Sequence, residues 1–349
     1  MTPIRLVQVG MGGWGRSWAK LLARQDELVQ AVAYVDVEPD MLRLLQGDVG
    51  VNANTCFPSL DAALESTDAE AVLVTTALAG HVPVVLAALE AGKHVLVEKP
   101  FAPSLEEARQ AVDLAAAQGR VLMVSQNYRF YPAVQRAAAL IREGTLGPVG
   151  GVSVQFRKYA NSQPREGHRH YTIRHPLLMD MAIHHFDLMR FVLSQEPDTV
   201  NCHAWNPPWS NFEDPAAASA TITFDGGAVV TYSGSWVSTA TPTTWAGAWQ
   251  IECAEGELEW TSRDDNSTEA DVVTIRPRGK RARHVQLPRL PYWDRAGALD
   301  AFVGAIREGA EPPASGRDNL GSLELTLAAI ESAATGQPQA VNALRGASF

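Results

Sequence analysis

Two carboxylates and a histidine recur at helical spacing in the segment from Asp180 to Asp187. Asp180, His184 and Asp187 stand at positions i, i+4 and i+7, so on an α-helix their side chains share one face. A histidine with a carboxylate one turn away on either side is oriented and made more basic, which suits proton abstraction near neutral pH. The same spacing also fits a polar helix face turned to water, so both interpretations stay open.

A lysine follows the apolar strand predicted over His94 to Val97, in the sequence Glu98-Lys99-Pro100. Open parallel sheets bind ligands at the carboxyl ends of their strands, and Lys99 stands just past such an end. Its ammonium group could donate to a substrate hydroxyl and stabilise the alkoxide that develops there. Taken alone, a glutamate and a lysine at a strand end more often form an exposed ion pair.

The glycines Gly10, Gly12 and Gly15 form the pattern G-x-G-x-x-G between a predicted strand, Ile4 to Val9, and a predicted helix. Gly10 permits the tight turn, Gly12 lets backbone approach a pyrophosphate, and Gly15 lets helix and strand pack closely. Asp36 ends the next strand about 20 residues later, where it would accept hydrogen bonds from an adenosine ribose. Because a carboxylate repels a 2′-phosphate, NAD is favoured over NADP. The alternative is a structural turn with a solvated Asp36.

The elements that must position these residues change character along the chain. In the first third, β-branched apolar runs alternate with helical patterns, which predicts a parallel sheet because parallel neighbours need a long crossover. Over residues 149–286, polar and apolar residues mostly alternate, as in antiparallel strands with one covered face. We therefore predict an α/β Rossmann domain over 1–126 and an α+β domain with a large open-faced, mainly antiparallel sheet over 127–349. The final helix could pack back on the first domain.

Four motifs together resemble the glucose–fructose oxidoreductase/inositol dehydrogenase/rhizopine catabolism (Gfo/Idh/MocA) family, and the resemblance runs along nearly the whole chain. The motifs are Gly10-x-Gly12-x-x-Gly15, Ala91-Gly92-Lys93-His94-Val95-Leu96-Val97-Glu98-Lys99-Pro100, Asn127-Tyr128-Arg129-Phe130-x-Pro132 and Asp180-x-x-x-His184-x-x-Asp187. The resemblance implies an NAD(P)-dependent dehydrogenase of sugars, inositols or related polyols. It also implies an open-faced sheet that joins subunits, hence a homodimer or homotetramer.

Carried over by position, the resemblance implies that Lys99 binds the reacting hydroxyl, that His184 is the acid/base, and that Asp180 helps to bind substrate. It places Asn127 near the nicotinamide and His81 beside the cofactor. The cofactor-binding residues that the loop and the resemblance indicate are Gly10, Gly12, Gly13, Trp14, Gly15, Asp36, Thr75, Thr76, His81, Glu98, Lys99 and Asn127.

The sequence departs from the family pattern at three places. Thr75-Thr76 stands where Thr-Pro is usual, His175-Pro176-Leu177 replaces glycines, and Ala182 replaces another glycine. These changes predict a different pocket wall, so they affect the identity of the substrate more than the type of reaction. The residues proposed to contact a small polyhydroxylated substrate are Arg129, Tyr159, His168, Arg174, His185 and Trp293.

The mechanism that follows is a hypothesis. A secondary hydroxyl gives its proton to His184 while its carbon-bound hydride moves to NAD⁺, with Lys99 stabilising the oxyanion. The same residues would serve the reverse reaction, a reduction. Two alternatives come from other classes: glycoside cleavage or elimination through transient oxidation by tightly held NAD, and a non-catalytic regulator that senses NAD.

Composition excludes several partners and compartments. The chain has 349 residues and a formal net charge of −10, which disfavours nucleic acid and anionic membranes as partners. No continuous apolar run is long enough for a membrane span, and no secretion signal is expected at the N-terminus. Three scattered cysteines encode no disulfide framework, so a cytoplasmic location is expected. Five histidines cluster between His168 and His185, but Arg165, Arg169 and Arg174 in the same region oppose a metal ion, and none is expected.

Overall fold

The computed structural model describes residues 2–265 and 267–342. The chain divides into two compact units. Unit 1 comprises Met1–Gln126 and Arg295–Leu320, and unit 2 comprises Asn127–Asp294 and Gly321–Phe349. No helix in the described ranges is long and apolar enough to cross a membrane.

Unit 1 alternates strands and helices along its first 126 residues. Its elements there are β1 (Ile4–Val9), α1 (Gly13–Leu22), β2 (Val29–Val35), α2 (Pro39–Val49), β3 (Cys56–Phe57), α3 (Leu60–Ser66), β4 (Ala71–Val74), α4 (Leu78–Glu90), β5 (His94–Val97), α5 (Leu105–Ala117) and β6 (Leu122–Val124).

The six strands form one parallel sheet in the order β3-β2-β1-β4-β5-β6. The central strands are almost wholly apolar and buried, as expected where helices cover both faces. This is the Rossmann arrangement predicted from the sequence, and its strand order reverses between β1 and β4. Ligands bind in such sheets at the carboxyl ends of the strands beside that reversal.

Residues 295–320 belong to unit 1, although the sequence-based division places them in the second domain. The physical reason is backbone pairing at the sheet edge. Val124 in β6 donates to the carbonyl of Ala314 at 2.9 Å, and Met123 forms an antiparallel bridge with Ser315. A late segment of the chain therefore covers the outer edge of β6.

Unit 2 contains most of the remaining elements. They are α6 (Pro132–Arg142), β7 (Val149–Arg157), α7 (Ile183–Leu193), β8 (Pro197–Trp205), β9 (Ala217–Phe224), β10 (Val229–Ser235), β11 (Ala248–Cys253), β12 (Gly256–Thr261), β13 (Val272–Pro277), β14 (Arg283–His284) and β15 (Gln339–Ala340). Helices α8 (Asp294–Glu308) and α9 (Gly316–Thr335) each contain a boundary between the units.

The nine strands form one sheet in the order β14-β13-β12-β11-β7-β10-β9-β8-β15. All neighbours are antiparallel except β7 and β10, which are parallel, so the prediction of a mainly antiparallel sheet is confirmed. Inward residues such as Val154 and Ile222 join a core with residues of α6, α7 and α9. The alternate residues, such as Thr221 and Thr231, are exposed. One face of the sheet therefore carries the core and the other faces outward.

Candidate functional site

The glycine loop of unit 1 has no room for side chains at two positions. Gly10 has φ +96°, and a Cβ there would lie 2.6 Å from the backbone nitrogen of Thr76. A Cβ on Gly15 would lie 1.9 Å from the carbonyl oxygen of Gly10. Both contacts are with backbone, which cannot swing away. The roles predicted for these glycines, a tight turn and close helix–strand packing, therefore agree with the geometry.

Gly12 is different, because a Cβ there would meet nothing within 4 Å. Helix α1 begins at the next residue, and no side chain among residues 2–265 and 267–342 caps its N-terminus. The hydroxyl of Thr76, a residue whose backbone lies beside Gly10, is buried and finds no hydrogen-bond partner among the described residues. Open space, uncapped helical amides and a buried hydroxyl fit the phosphate-bearing part of a dinucleotide.

Buried side chains of unit 1 hold the loop from behind. The Thr75 hydroxyl lies 2.7 Å from the carbonyl oxygen of Gly10, and Gln8 donates to the carbonyl of Gly15 at 2.7 Å. Gln8 also donates to the Thr75 hydroxyl at 3.1 Å. Sequence analysis overlooked Gln8, although a glutamine within an otherwise apolar strand is a detectable signal. Thr75, predicted to bind cofactor, thus supports the loop's backbone.

Asp36 follows β2 and is fastened to the glycine loop. Its carboxylate accepts from the backbone amide of Met11 at 2.6 Å and from that of Glu38 at 2.9 Å. Each carboxylate oxygen has further lone pairs, so the group can still accept from a ribose hydroxyl. The adjacent Val37 is exposed and supplies no positive charge.

Glu98 is buried, so the alternative of an exposed ion pair is wrong for this residue. Its carboxylate accepts from the indole N–H of Trp18 on α1 at 2.7 Å and from the backbone amide of Lys99 at 3.2 Å. The half-buried Lys99 comes next, joined to Pro100 by a cis peptide bond. The two hydrogen bonds of Glu98 fix the backbone of Lys99 relative to α1, the helix that follows the glycine loop.

His81 lies buried between two loops of unit 1. Its ring nitrogens face the carbonyl oxygens of Pro100, at 2.7 Å, and Thr76, at 3.1 Å. Burial is the main influence on its pKa and lowers it, while the two carbonyls act in the opposite direction. His81 therefore links the loops that carry Lys99 and Thr76.

Arg295 at the start of α8 was not identified from the sequence. Its guanidinium carbon lies 4.5 Å from the ring centre of the exposed Trp14 and 5.2 Å from that of Trp18. It also donates to the Ser17 hydroxyl at 3.1 Å. A cation is therefore held over the first turns of α1.

The motif around Asp180 in unit 2 is not one regular helix. Residues Pro176–Ala182 form a π-helix and α7 begins at Ile183, so the α-helical face predicted for Asp180, His184 and Asp187 is wrong. Asp180 is half-buried, and its carboxylate lies 4.0 Å from Nε2 of His170. Short π-helical segments are frequently found at functional sites.

Asp187 does not act as the second carboxylate beside the histidine. It forms a buried two-pronged ion pair with Arg129, in which both N–O distances are 2.6 Å. The Ser322 hydroxyl also donates to it at 2.8 Å and accepts from Arg190 at 2.8 Å. Arg129, proposed as a substrate residue, therefore holds the core of unit 2.

His184 instead packs against an aromatic ring. The imidazole stacks on Tyr128 with ring centres 4.0 Å apart and planes at 6°. The guanidinium carbon of Arg263 lies 4.3 Å from the centre of the Tyr128 ring, and its N–H group donates to the phenolic oxygen. Burial raises the pKa of Tyr128, so the phenol keeps its proton. Sequence analysis found His184 but neither of these neighbours.

His185, another proposed substrate residue, lies in the core. Its ring nitrogens lie 3.1 Å from the Tyr232 hydroxyl and 3.0 Å from the Trp245 carbonyl oxygen, and the residue is fully buried. Burial lowers its pKa to about 4, so the imidazole is neutral at pH 7. Both nitrogens are engaged, which leaves none for a substrate.

The other proposed substrate residues are scattered within unit 2. Tyr159 is exposed, and Arg174 is exposed and pairs with Asp214 at 3.3 Å. His168 is half-buried and its ring centre lies 4.6 Å from that of Tyr171. None of these three contacts Asp180 or His184 in the described hydrogen bonds and ring contacts.

Asn127 and Trp293 meet the segment that leads into α8. The Asn127 amide donates to the Asp294 carboxylate, and the Trp293 ring centre lies 5.4 Å from that of Tyr131. Asn127 is buried and Trp293 half-buried. Within residues 2–265 and 267–342, no three histidine, cysteine, aspartate or glutamate side chains form a group that could hold a metal ion.

Comparison with known proteins gives matches along most of the chain. A family model described as an oxidoreductase family with an NAD-binding Rossmann fold matches residues 4–126. A second model, the GFO/IDH/MocA C-terminal domain, matches residues 134–259.

Two relatives are named for reactions on a polyol and on a sugar derivative. Inositol 2-dehydrogenase of Rhizobium meliloti is 26% identical, with 95% of this chain and 97% of that protein covered. The 1,5-anhydro-D-fructose reductase of Ensifer adhaerens is 29% identical, with 80% and 82% covered.

Solved structures share the fold at low identity. An oxidoreductase from Agrobacterium radiobacter, crystallised with NAD⁺, L-tartaric acid and magnesium, superposes with a TM-score of 0.83 at 20% identity, covering 97% of this chain and 99% of that one. Both halves of the chain thus match models of one family, and its first half carries the loop geometry that a dinucleotide requires. The protein belongs to the Gfo/Idh/MocA family of NAD-binding oxidoreductases.

Proposed function

We propose that this oxidoreductase interconverts a secondary hydroxyl and a ketone on a sugar, an inositol or a related polyol, and that it uses NAD in preference to NADP. The relatives named above support this substrate class. Asp36 supports the cofactor preference, because its carboxylate would repel a 2′-phosphate and Val37 offers no compensating cation.

One observation carries the proposal, namely that hydrogen bonds hold the backbone of Lys99 beside the helix that follows the glycine loop. Glu98 is bonded both to Trp18 on α1 and to the backbone amide of Lys99, so the lysine begins from a fixed point at the carboxyl edge of the sheet. An ammonium group held there can stabilise negative charge on a substrate oxygen as it develops. Interactions that strengthen with developing charge raise turnover more than binding.

Each of the proposed site residues has a separate role in the oxidation. When bound, NAD⁺ would supply the acceptor for the carbon-bound hydrogen and its electron pair. His184 takes the hydroxyl proton, Lys99 stabilises the oxygen while the C=O bond forms, and Asp180 binds the substrate. Gly10, Gly12, Gly15, Thr76 and Asp36 would hold the cofactor. The reverse proton transfers serve reduction.

The first test replaces Lys99 by Ala. We expect kcat to fall by about 10²- to 10³-fold, as for other groups that stabilise a developing oxyanion, while the Kd for NAD⁺ changes little. The assay is NADH absorbance over a panel of sugars, inositols and their acids, each with NAD⁺ and with NADP⁺. Lys93→Ala is the matched control, because Lys93 donates to the Ala69 carbonyl and lies at the opposite end of β5.

Full activity in Lys99→Ala would show that the lysine's role is wrong. Indifference to every member of the panel would contradict the substrate class. Co-purified NAD without net NADH release would instead indicate cleavage or elimination through transient oxidation.

We also propose that two or four copies associate through the outward face of the nine-stranded sheet, in the cytoplasm. Its exposed rows are rich in uncharged residues, including Ser219, Thr221 and Thr231, which avoid the repulsion of like charges between copies. Light scattering should give a dimer or tetramer mass, and Thr221→Arg should lower it. A monomeric native protein would refute the assembly.

A further inference from the structure

A single aromatic ring in unit 2 is shared by an imidazole and a guanidinium. Tyr128 stacks on His184 with centres 4.0 Å apart, and the guanidinium carbon of Arg263 lies 4.3 Å from the same ring centre. Arg263 also donates to the phenolic oxygen. Tyr128 and His184 are 3% and 5% exposed, so water screens these contacts poorly.

The stack constrains His184 in two ways. A face-to-face contact at 6° favours one orientation of the imidazole plane, because turning the ring about its Cβ–Cγ bond would break the stack. A protonated imidazole would place a second cation against a ring that already holds one. The attraction between a cation and the ring is then offset by repulsion between the two cations.

Other charged groups around the stack act in both directions. The carboxylates of Asp180, from the π-helix, and Asp294, from the start of α8, both act on the Tyr128 hydroxyl, and Arg263 opposes them. Asp180 and Asp294 favour a protonated His184, whereas Arg263 favours the neutral ring. Tyr131 also lies near, with its ring centre 6.5 Å from that of Tyr128, and burial keeps it a neutral phenol.

Arg263 is held in place by its own backbone. Its φ is +61°, a left-handed conformation uncommon for a residue with a side chain. Its amide donates to the Asp271 carboxylate at 3.0 Å, and the carboxylate also accepts from the Ser262 hydroxyl and from the amide of Ala133. These hydrogen bonds fix the backbone of Arg263 and so hold its guanidinium beside Tyr128.

We propose that Arg263 is a positioning residue for the acid–base step, which acts through the ring of Tyr128 to fix the plane of His184 and to weaken the binding of a proton by its imidazole. The proposal rests on the proposed function in one respect, because it takes His184 as the proton acceptor. It assigns Arg263 no contact with substrate.

The test compares Arg263→Gln with Arg263→Lys, which keeps the charge. The readout is the pKa of His184 from NMR titration of the histidine rings, assigned with His184→Asn. We expect Arg263→Gln to raise this pKa by about one unit and Arg263→Lys to leave it nearly unchanged. The acid limb of kcat/KM should move by the same amount, while the Kd for NAD⁺ stays constant.

An unchanged His184 pKa in Arg263→Gln would overturn the proposal, whatever happens to activity. If the His184 pKa shifts in Arg263→Gln but His184→Asn keeps full turnover, the effect of Arg263 on His184 is confirmed. In that case His184 is not the proton acceptor. If Arg263→Gln does not fold, Tyr128→Phe replaces it. This variant keeps the stacked ring but removes the hydroxyl that Arg263 binds, so a smaller upward shift is expected and no shift would overturn the proposal.

Discussion

The two units hold their chemical groups by different means. In unit 1, the glycine loop, Asp36 and Lys99 are held largely by bonds to or from backbone, such as the carbonyls of Gly10 and Gly15 and the amides of Met11 and Lys99. In unit 2, the contacts of His184 and Asp187 are with other side chains. Tyr128 stacks on His184, and Arg129 pairs with Asp187.

This difference separates what tolerates substitution from what does not. A bond between a side chain and backbone requires only that one side chain, because every residue supplies the backbone group, and the strictest requirement in unit 1 falls on Gly10 and Gly15, where a Cβ would collide. Side-chain contacts require both partners together, so a single change in unit 2 leaves its partner buried and unmatched. The largest losses of stability should therefore come from unit 2.

The strongest test of this contrast is Arg129→Ala. It leaves the Asp187 carboxylate buried without its cation, and we expect the free energy of unfolding to fall by about 3–5 kcal/mol. Urea denaturation measures it. Arg136→Ala is the control, because its pair with Glu143 is partly exposed and 3.4 Å long, and it should cost less than about 1 kcal/mol. Equal losses of unfolding free energy in the two variants would show that the buried ion pair is no more important for stability than the exposed one.

Gly15→Ala tests the strict part of unit 1. The new methyl group would meet the Gly10 carbonyl, so we expect a loss of about 1–3 kcal/mol in stability and at least about tenfold weaker NAD⁺ binding. Gly12→Ala sharpens the result, because its methyl meets only open space. It should keep normal stability in urea and still weaken NAD⁺ binding in a fluorescence titration. Normal NAD⁺ binding by both variants would contradict the proposal that the glycine loop binds the cofactor.

A smaller effect is expected from pH acting on His185. Its pKa is about 4 in the folded protein and near 6.5 when unfolded, so the unfolded state binds the extra proton between these values. Stability from this neutral histidine is complete above pH 6.5 and is lost as the pH falls towards 4. From pH 7 to 5 the wild type should lose about 2 kcal/mol more than His185→Gln in urea titrations. Parallel losses would show that His185 is not held neutral.

Local patterns sufficed to predict the parallel sheet and the strand, turn and helix of the glycine loop, because each depends on residues near one another in the sequence. Ribose binding by Asp36 stays a prediction. The partners of His184 could not be found in this way. Arg263 meets Tyr128 across 135 positions, and Arg129 meets Asp187 across 58. Spacing could not show the π-helix at Pro176–Ala182 either, since i, i+4 and i+7 fit a regular helix equally well. Composition did not reveal that His185 is a core residue.

The backbone pairing at β6 has a consequence for synthesis. Val124 bonds to Ala314, a residue that the ribosome adds roughly 190 residues later, which takes about 10–40 s at 5–20 residues per second. Until then the outer edge of β6 offers unpaired amides and carbonyls, the kind of edge to which a strand of another chain can add. The segment that contains Ala314 thus covers the edge of β6 and protects the sheet from pairing with another chain. A chain truncated before this segment would lack that protection.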